Sequence, residues 1–212
     1  MAQGSKPMAV NTHPVELKLV RGPDELELDL SPLQGLWTEQ QYLKLTDQTR
    51  HLIEFTDGVI EVLPVPTDKH QSISQFLFLV LFSWVQPLGG TVHFAGLRMQ
   101  IREGTFREPD LLLLLDANDP RRQDRFWLGA DLVAEVVSPD DPERDIRVKR
   151  LDYAEAGIPE YWIANPEDET ITVLTLAGAA YVEHGVFRRG QEASSVLLQG
   201  FAINVADVFD AN

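Results

Sequence analysis

The sequence predicts a mixed α/β fold, with a β-sheet core flanked by helices. Two continuous apolar runs, over 107–115 and 132–137, are typical of central strands that are covered on both faces. Helical segments precede and follow these runs, and this order places helices against a sheet of mixed direction. At 212 residues, 44% of them hydrophobic, the chain is long enough for one domain with a sizeable core. We expect that domain to span 16–212, and residues 1–15, which lack periodicity, to form a flexible extension.

A short helix and a hairpin are expected first. Thr38 and Gln41 have the spacing of a capping box and predict a helix over 38–45. Two strand-like runs joined at Asp57-Gly58 predict a hairpin over 51–64, because this dipeptide favours tight turns. This hairpin is an N-terminal addition to the sheet core.

A longer, largely buried helix is predicted next. Asp68 is expected to cap it, and Pro87 and the glycines after it are expected to end it. Its apolar residues recur at helical spacing: Ile73, Phe76, Leu77, Val80, Leu81 and Trp84.

The second half of the chain alternates strands and a helix. An extended run over 91–102 precedes the two apolar runs, and a helix is predicted from about Pro142 to Gly157. The remaining predicted elements are strands at 160–164, 170–176 and 181–188, and a short C-terminal segment at 205–209.

Charge and cysteine content narrow the possible chemistry. The chain has 18 basic and 33 acidic residues, a formal net charge of -15, which argues weakly against non-specific affinity for nucleic acid. It has no cysteine, so disulfides and thiolate metal sites are excluded. Any metal must be held by oxygen or imidazole ligands, which suits Mg²⁺, Mn²⁺ or Ca²⁺ better than structural zinc.

No export or membrane signal is found in the sequence. The longest apolar run, 76–85, is about half of the ~20 residues that a membrane-spanning helix needs. The N-terminus also lacks the basic and then apolar pattern of a signal peptide. We therefore expect a cytoplasmic protein without membrane contact.

Two carboxylates stand in or beside the runs that predict buried strands. Pro109 lacks an N–H and belongs at a strand start or edge, which places Asp110 at the mouth of its strand. If Glu135 lies on the neighbouring strand, the repulsion between the two carboxylates favours a shared proton or a divalent cation. We expect Mg²⁺, with the main-chain carbonyl of Val136 as a third ligand. The structural alternative is that Asp110 caps a turn and Glu135 pairs with a Lys or Arg.

Lys149 is a candidate because its helix follows the strand of Glu135. If the helix folds back along the sheet, its ammonium can orient an attacking water and stabilise a pentavalent phosphate. The alternative is a surface ion pair with Asp145, four residues earlier. Tyr153, on the same face, either supports Lys149 or belongs to the core.

His70 and Glu54 are further candidates with open alternatives. His70 lies in the first turn of the long helix, where a histidine is commonly solvated or capping. Glu54 is either a site residue or an outward-facing strand carboxylate that pairs with Lys or Arg. Two charged groups are expected to be solvated: the acidic helix start (Asp140, Asp141, Glu143 and Asp145) and a basic loop (Arg121, Arg122 and Arg125).

An ordered set of segments resembles the Uma-type family of restriction-endonuclease-like proteins, a bacterial branch of the PD-(D/E)xK nuclease superfamily. The resemblance runs through Leu36–Leu43, Ile53–Gly58, His70, Glu108–Asp110, Ala134–Pro139, Asp145, Lys149, Tyr153 and Gly157–Trp162. It implies a restriction-endonuclease-like core, in which Asp110 and Glu135 bind the metal and Lys149 is the catalytic lysine. His70 and Glu54 match family positions near the site.

The sequence departs from the superfamily pattern at one position. Val137 stands where the ExK arrangement has its lysine, so the assignment of Lys149 depends on its reaching the metal site. Two functions follow as hypotheses: a Mg²⁺- or Mn²⁺-dependent endonuclease that acts on DNA, with a homodimer as a plausible assembly, or a non-catalytic binding or assembly module.

Overall fold

The computed structural model describes residues 16–21 and 24–212, and side chains from residue 29 onward. Its strands are β1 Glu16–Arg21, β2 Asp24–Asp29, β3 Ile53–Thr56, β4 Val59–Val62, β5 Thr91–Phe94, β6 Met99–Arg102, β7 Thr105–Arg107, β8 Leu111–Leu114, β9 Leu132–Val136, β10 Glu160–Asn165, β11 Thr170–Ala177, β12 Ala180–Arg188, β13 Glu192–Ser194 and β14 Ala202–Asn204. Its α-helices are α1 Glu39–Thr46, α2 Asp68–Val85, α3 Lys149–Glu155 and α4 Val205–Phe209.

The core is a six-stranded sheet with the order β12-β11-β10-β9-β8-β5. Strands β9 and β10 are parallel and all other neighbours are antiparallel, so the predicted mixed sheet is confirmed. Helix α2 covers one face, on which Leu111 and Val136 are buried. Helix α3 covers the other, where Leu112 and Val133 pack near Tyr153. Burial on both faces explains why β8 and β9 are continuous apolar runs.

A second sheet has the order β4-β3-β7-β6. The predicted hairpin is confirmed as β3 and β4, which are joined by a turn in which Asp57 (φ 47°) and Gly58 (φ 89°) both have positive φ. The hairpin of β1 and β2 was not predicted.

Two strand predictions were wrong because each run divides between the two sheets. The run 91–102 separates into β5 and β6 at Gly96, whose φ of 97° turns the chain out of the core sheet. The run 107–115 separates into β7 and β8 around Pro109, which has no N–H for ladder pairing. At the second break, Glu108, Pro109 and Asp110 already interrupt the apolar residues, whereas the first break has only Gly96 as a local signal.

The predicted helices are present, with one correction, at the start of α2. The capping box of Thr38 and Gln41 is confirmed at α1. Helix α2 is capped by Thr67 and not by Asp68, because the Thr67 hydroxyl accepts the N–H of His70 at 3.2 Å. The helix predicted from about Pro142 is confirmed: Pro142 and Glu143 are helical, a π-helical turn follows at Arg144–Val148, and the helix continues as α3.

The C-terminal segment closes the α2 side of the core. Strands β10, β11 and β12 confirm the predicted C-terminal strands, whereas the small hairpin of β13 and β14 was missed. Buried Glu160 fixes this segment, since its Oε2 accepts the N–H groups of Val196 and Leu197, each at 2.8 Å. Among the described residues, no helix is long and apolar enough to cross a membrane.

Candidate active site

Asp110 and Glu135 come together where β8 begins and β9 ends. The antiparallel register pairs Leu111 with Ala134, so the two acidic residues lie opposite each other. The N–H of Asp110 lies 3.3 Å from Glu135 Oε2, to which it donates, and the N–H of Val136 donates to Asp110 Oδ2 at 2.8 Å. Val136 thus contacts the pair through its N–H, and a ligand role for its carbonyl stays a prediction.

His70 approaches the pair from α2. Its Nε2 lies 3.1 Å from Asp110 Oδ2, and its Nδ1 lies 3.5 Å from the hydroxyl of Ser74. The side chain is nearly buried, so the solvated alternative for His70 is wrong. The ring is oriented by two neighbours and holds one oxygen of Asp110.

Lys149 reaches the carboxylates from the opposite face of the sheet. Its Nζ lies 2.9 Å from Glu135 Oε1, 3.0 Å from Asp145 Oδ1 and 4.0 Å from Glu54 Oε1. Lys149 is 5% exposed and Asp145 is 4% exposed. The surface-pair alternative is therefore wrong, and so is the solvated assignment of Asp145, although Asp140 and Asp141 are exposed as expected.

Tyr153 satisfies both of its alternatives. It is fully buried in the core, and its hydroxyl donates to Glu135 Oε1, the oxygen that Lys149 also contacts. Tyr161 donates its hydroxyl to the main-chain oxygen of Asp145 at 2.8 Å. The two tyrosines thus fix Glu135 and the π-helical turn from the core side.

Glu54 faces inward from β3, so the outward-facing alternative is wrong, while the expected pairing with arginine is present. Its carboxylate forms an ion pair with Arg144 and lies 3.4 Å from the guanidinium of Arg107. It also accepts the N–H of Glu108 at 3.1 Å. Burial acts to raise its pKa, but the charges of Arg144, Lys149 and Arg107 outweigh burial and lower the pKa of Glu54 to about 2. Glu54 is therefore a fixed anion.

The pKa values of the two central carboxyl groups, Asp110 and Glu135, shift in opposite directions. Burial and the charges of Asp110 and Asp145 raise the pKa of Glu135 well above its ordinary range, against the effect of Lys149. Burial also acts to raise the pKa of Asp110, but the hydrogen bond and charge of His70 outweigh it and lower that pKa. Asp110 is thus the more strongly ionised member of the pair.

The surroundings of Lys149 and His70 both favour the charged form of the side chain. Burial acts to lower the pKa of Lys149, but the charges of Glu135, Asp145 and Glu54 raise it above the usual lysine value. Burial likewise opposes a charge on His70, and the hydrogen bond and charge of Asp110 reverse this and raise its pKa. Lys149 therefore acts as a permanent cation and not as a proton acceptor.

Asp110 and Glu135 offer carboxylate oxygens, the class of ligand that Mg²⁺ prefers. Within the described part of the chain, no group of three or more His, Cys, Asp or Glu side chains is arranged to hold a metal ion. Mg²⁺ commonly uses only one or two carboxylates, with waters and substrate phosphate in the remaining positions. The two contacts that described residues make with the Asp110 carboxylate both end on Oδ2, so Oδ1 is available to a ligand.

The fold has a carboxylate pair at neighbouring strand ends and a lysine from helix α3 beside it, and it is that of a restriction-endonuclease-like protein. The chain belongs to the Uma2 family, described as putative restriction endonucleases, whose sequence profile matches residues 39–206. A putative nuclease belonging to DUF820 from Anabaena variabilis ATCC 29413 has a similar crystal structure, with a TM-score of 0.69 and 22% identity over 82% of this chain and 97% of that chain. At this identity the likeness shows the fold alone. The comparison with curated proteins found no match.

Sequence reasoning misjudged one partner of the site and missed two. It paired Asp145 with Lys149 at a spacing of four, but as a surface ion pair among solvated acids, whereas the pair is buried. Arg144 and Arg107 carry no motif, and only the burial of Glu54 on β3 shows that it needs cations.

Of the predicted basic loop, Arg121 and Arg125 each pair with aspartates.

Proposed function

We propose that this protein is a Mg²⁺-dependent endonuclease that hydrolyses phosphodiester bonds in DNA. The observation that carries the proposal is one connected set of contacts at the end of β9: Asp110 donates its N–H to Glu135, and Glu135 contacts the ammonium of Lys149 at 2.9 Å. Two carboxylates and one lysine are the groups that the superfamily pattern requires. Membership in the Uma2 family supports a nuclease function in general.

Asp110 and Glu135 would hold the metal ion in this function. When bound, Mg²⁺ would polarise the scissile phosphate and neutralise its charge. His70 fixes Asp110 by its contact with Oδ2, and the hydroxyl of Tyr153 fixes Glu135. These contacts restrict how the two carboxylates can move, so that they present their oxygens in one geometry.

Lys149 would supply a fixed positive charge for the reaction. Its N–H groups would orient the attacking water and stabilise the charge that develops on the phosphate. Because the side chain is buried, water screens that charge weakly. Glu54 and Asp145 would keep the ammonium in place from two further directions.

Lys149 also accounts for the departure at Val137. Val137 is 4% exposed and packs in the α3-side core, where no ammonium is required. Lys149 approaches Glu135 from that same side, from helix α3. In this proposal, helix α3 supplies the lysine in place of the strand.

The test is a cleavage assay on supercoiled, linear and single-stranded DNA with Mg²⁺ or Mn²⁺. We expect Asp110→Asn and Glu135→Gln to lose at least a hundredfold in rate, since each removes a proposed metal ligand. Glu167→Gln is the matched control, because Glu167 is an exposed acid on the turn between β10 and β11. Cleavage that survives both site substitutions would refute the proposal.

A homodimer is expected on duplex DNA, which light scattering of the complex will detect.

One observation favours a second function, a nuclease fold that binds or assembles without turnover. Glu135 and Lys149 are almost fully buried and already paired with each other, so substrate would have to displace existing contacts. Thermal unfolding with millimolar Mn²⁺ separates the two functions. A metal that binds the native state raises the melting temperature by mass action, and an unchanged temperature with and without DNA would favour the non-catalytic module.

A further inference from the structure

A small cavity of about 200 Å³ opens beside the candidate active site. Its lining includes Glu108, which lies two residues before Asp110 and donates its N–H to Glu54 at 3.1 Å. It also includes Gly96, and the adjacent Ala95 donates its N–H to the main-chain oxygen of Asp110 at 2.9 Å. The cavity therefore shares its wall with the segments that position the proposed metal ligands.

Two arginines, a histidine and two hydroxyl groups make up most of the lining of this cavity: Arg50, Arg98, His51, Thr46 and Thr49. Among the described lining residues, Glu108 is the one carboxylate, and its Oε1 accepts the N–H of Ile53 at 3.2 Å. The Thr46 hydroxyl already donates to the main-chain oxygen of Tyr42 at 3.1 Å, which leaves the Thr49 hydroxyl as a donor to a ligand. Positive charge next to a hydroxyl donor is the chemistry that binds a phosphate oxygen.

The two arginines of the cavity differ in whether their guanidinium groups already have partners. Arg98 is fixed, because its guanidinium donates to the Thr46 hydroxyl and to Asp47 Oδ1, the latter at 2.9 Å. Arg50 is exposed and forms no ion pair or hydrogen bond with a described side chain. The planar guanidinium of Arg50 is thus free to donate hydrogen bonds to a ligand. The guanidinium of Arg98 lies next to it and is already held in place.

We propose that this cavity binds a backbone phosphate of the nucleic acid, one that flanks the scissile phosphate. The inference rests on the proposed function, because it places a second phosphate contact beside the Asp110 segment. The volume is below the 300 Å³ or more that is typical of sites for whole small molecules, and suits one small group. A single strand that passes the active site would place successive phosphates along this wall.

The negative net charge of the whole chain is compatible with a phosphate-binding site in this cavity. Its two guanidinium groups come from separate parts of the chain: Arg50 lies in the segment after α1, and Arg98 directly precedes β6. The sequence therefore has no basic run here, although the fold brings both guanidinium groups to one cavity. Local charge of this kind governs contact with a phosphate more than the net charge of -15 does.

The test uses Arg50→Gln in the Asp110→Asn background without metal, so that bound DNA stays intact. Binding of a fluorescein-labelled duplex and of the single strand is followed by anisotropy at several salt concentrations. We expect about a three- to tenfold higher Kd, and a slope of log K against log salt that is smaller by about 1. Arg50→Lys, which keeps the charge, should restore the slope. Arg188→Gln is the matched control, an exposed arginine on the opposite edge strand, β12.

Two results would overturn the subsite. One is that Arg50→Gln and Arg188→Gln have the same Kd and the same salt slope. The other is that Arg50→Gln abolishes binding of inorganic phosphate or of a nucleoside monophosphate in isothermal titration while leaving oligonucleotide affinity unchanged, which would assign the cavity to free phosphate. DNA cleavage that persists in Asp110→Asn would refute the proposed function instead, and the anisotropy comparison would still decide the subsite.

Discussion

Replacement of Glu108 by glutamine is expected to make the protein more stable at alkaline pH. The Glu108 side chain is 5% exposed and lies against Glu54, and its Oε1 accepts the N–H of Ile53. Burial, which is opposed by that hydrogen bond and assisted by the charge of Glu54, raises the pKa of Glu108 to about 7. Glutamine keeps the acceptor oxygen and removes the ionisation.

The magnitude follows from the linkage between protonation and folding. An ordinary glutamate value of 4.5 in the unfolded chain and about 7 in the folded protein differ by about 2.5 pKa units, or about 3 kcal/mol. Because the folded pKa is raised, the unfolded state ionises first, and Glu108 lowers stability progressively between about pH 4.5 and pH 7. Below this range the wild type and Glu108→Gln should have similar stabilities, and above it the variant should be more stable by up to about 3 kcal/mol.

Urea unfolding in EDTA at pH 5, 6, 7 and 8 measures this difference. The reference is Glu103→Gln, since Glu103 is an exposed glutamate in the turn between β6 and β7. The expected result is a stability difference that grows with pH for Glu108→Gln and stays flat for Glu103→Gln. A flat difference for Glu108→Gln, or a variant less stable than wild type at pH 8, would refute the reasoning about this buried carboxyl.

Two further substitutions separate charge from packing. Lys149→Met should abolish cleavage. It should also destabilise the fold by about 3–5 kcal/mol in urea unfolding, because three carboxylates lose a shared buried cation. An active variant would contradict the proposed role of Lys149. Tyr153→Phe should cost about 1–3 kcal/mol, because Glu135 loses a buried donor, and should also weaken Mn²⁺ affinity in isothermal titration; unchanged stability and affinity would show that Tyr153 serves only in packing.

The sequence predicted the core strands and helices because each has a strong local signal. The apolar runs of β8 and β9, the capping box of α1 and the Asp57-Gly58 turn all act within a few residues. The division of two runs between sheets could not be predicted in the same way. It depends on which strands pair, and β7 pairs with β3 across about 50 residues of chain.

The candidate site was partly predictable for a related reason. Asp110 and Glu135 stand out because a carboxylate in an apolar run needs a partner. Their partners come from separate elements, and a residue such as Arg144 has an ordinary sequence context. Its role depends on the π-helical turn, which brings the guanidinium to Glu54 and Asp145 to the ammonium of Lys149. Such turns are common at functional sites, but they leave no clear pattern in a sequence.

The buried charges also connect the two sheets, which links the stability of the fold to the geometry of the site. Glu54 belongs to the second sheet, and its cations come from α3, the π-helical turn and β7. Removing one partner leaves the others buried without compensation, so a large part of the cost comes from the groups left behind. A loss of activity on mutation of Glu54 therefore says little about catalysis by itself. Only variants that keep the fold, such as Tyr153→Phe or Arg50→Gln, can separate the chemistry of the site from its architecture.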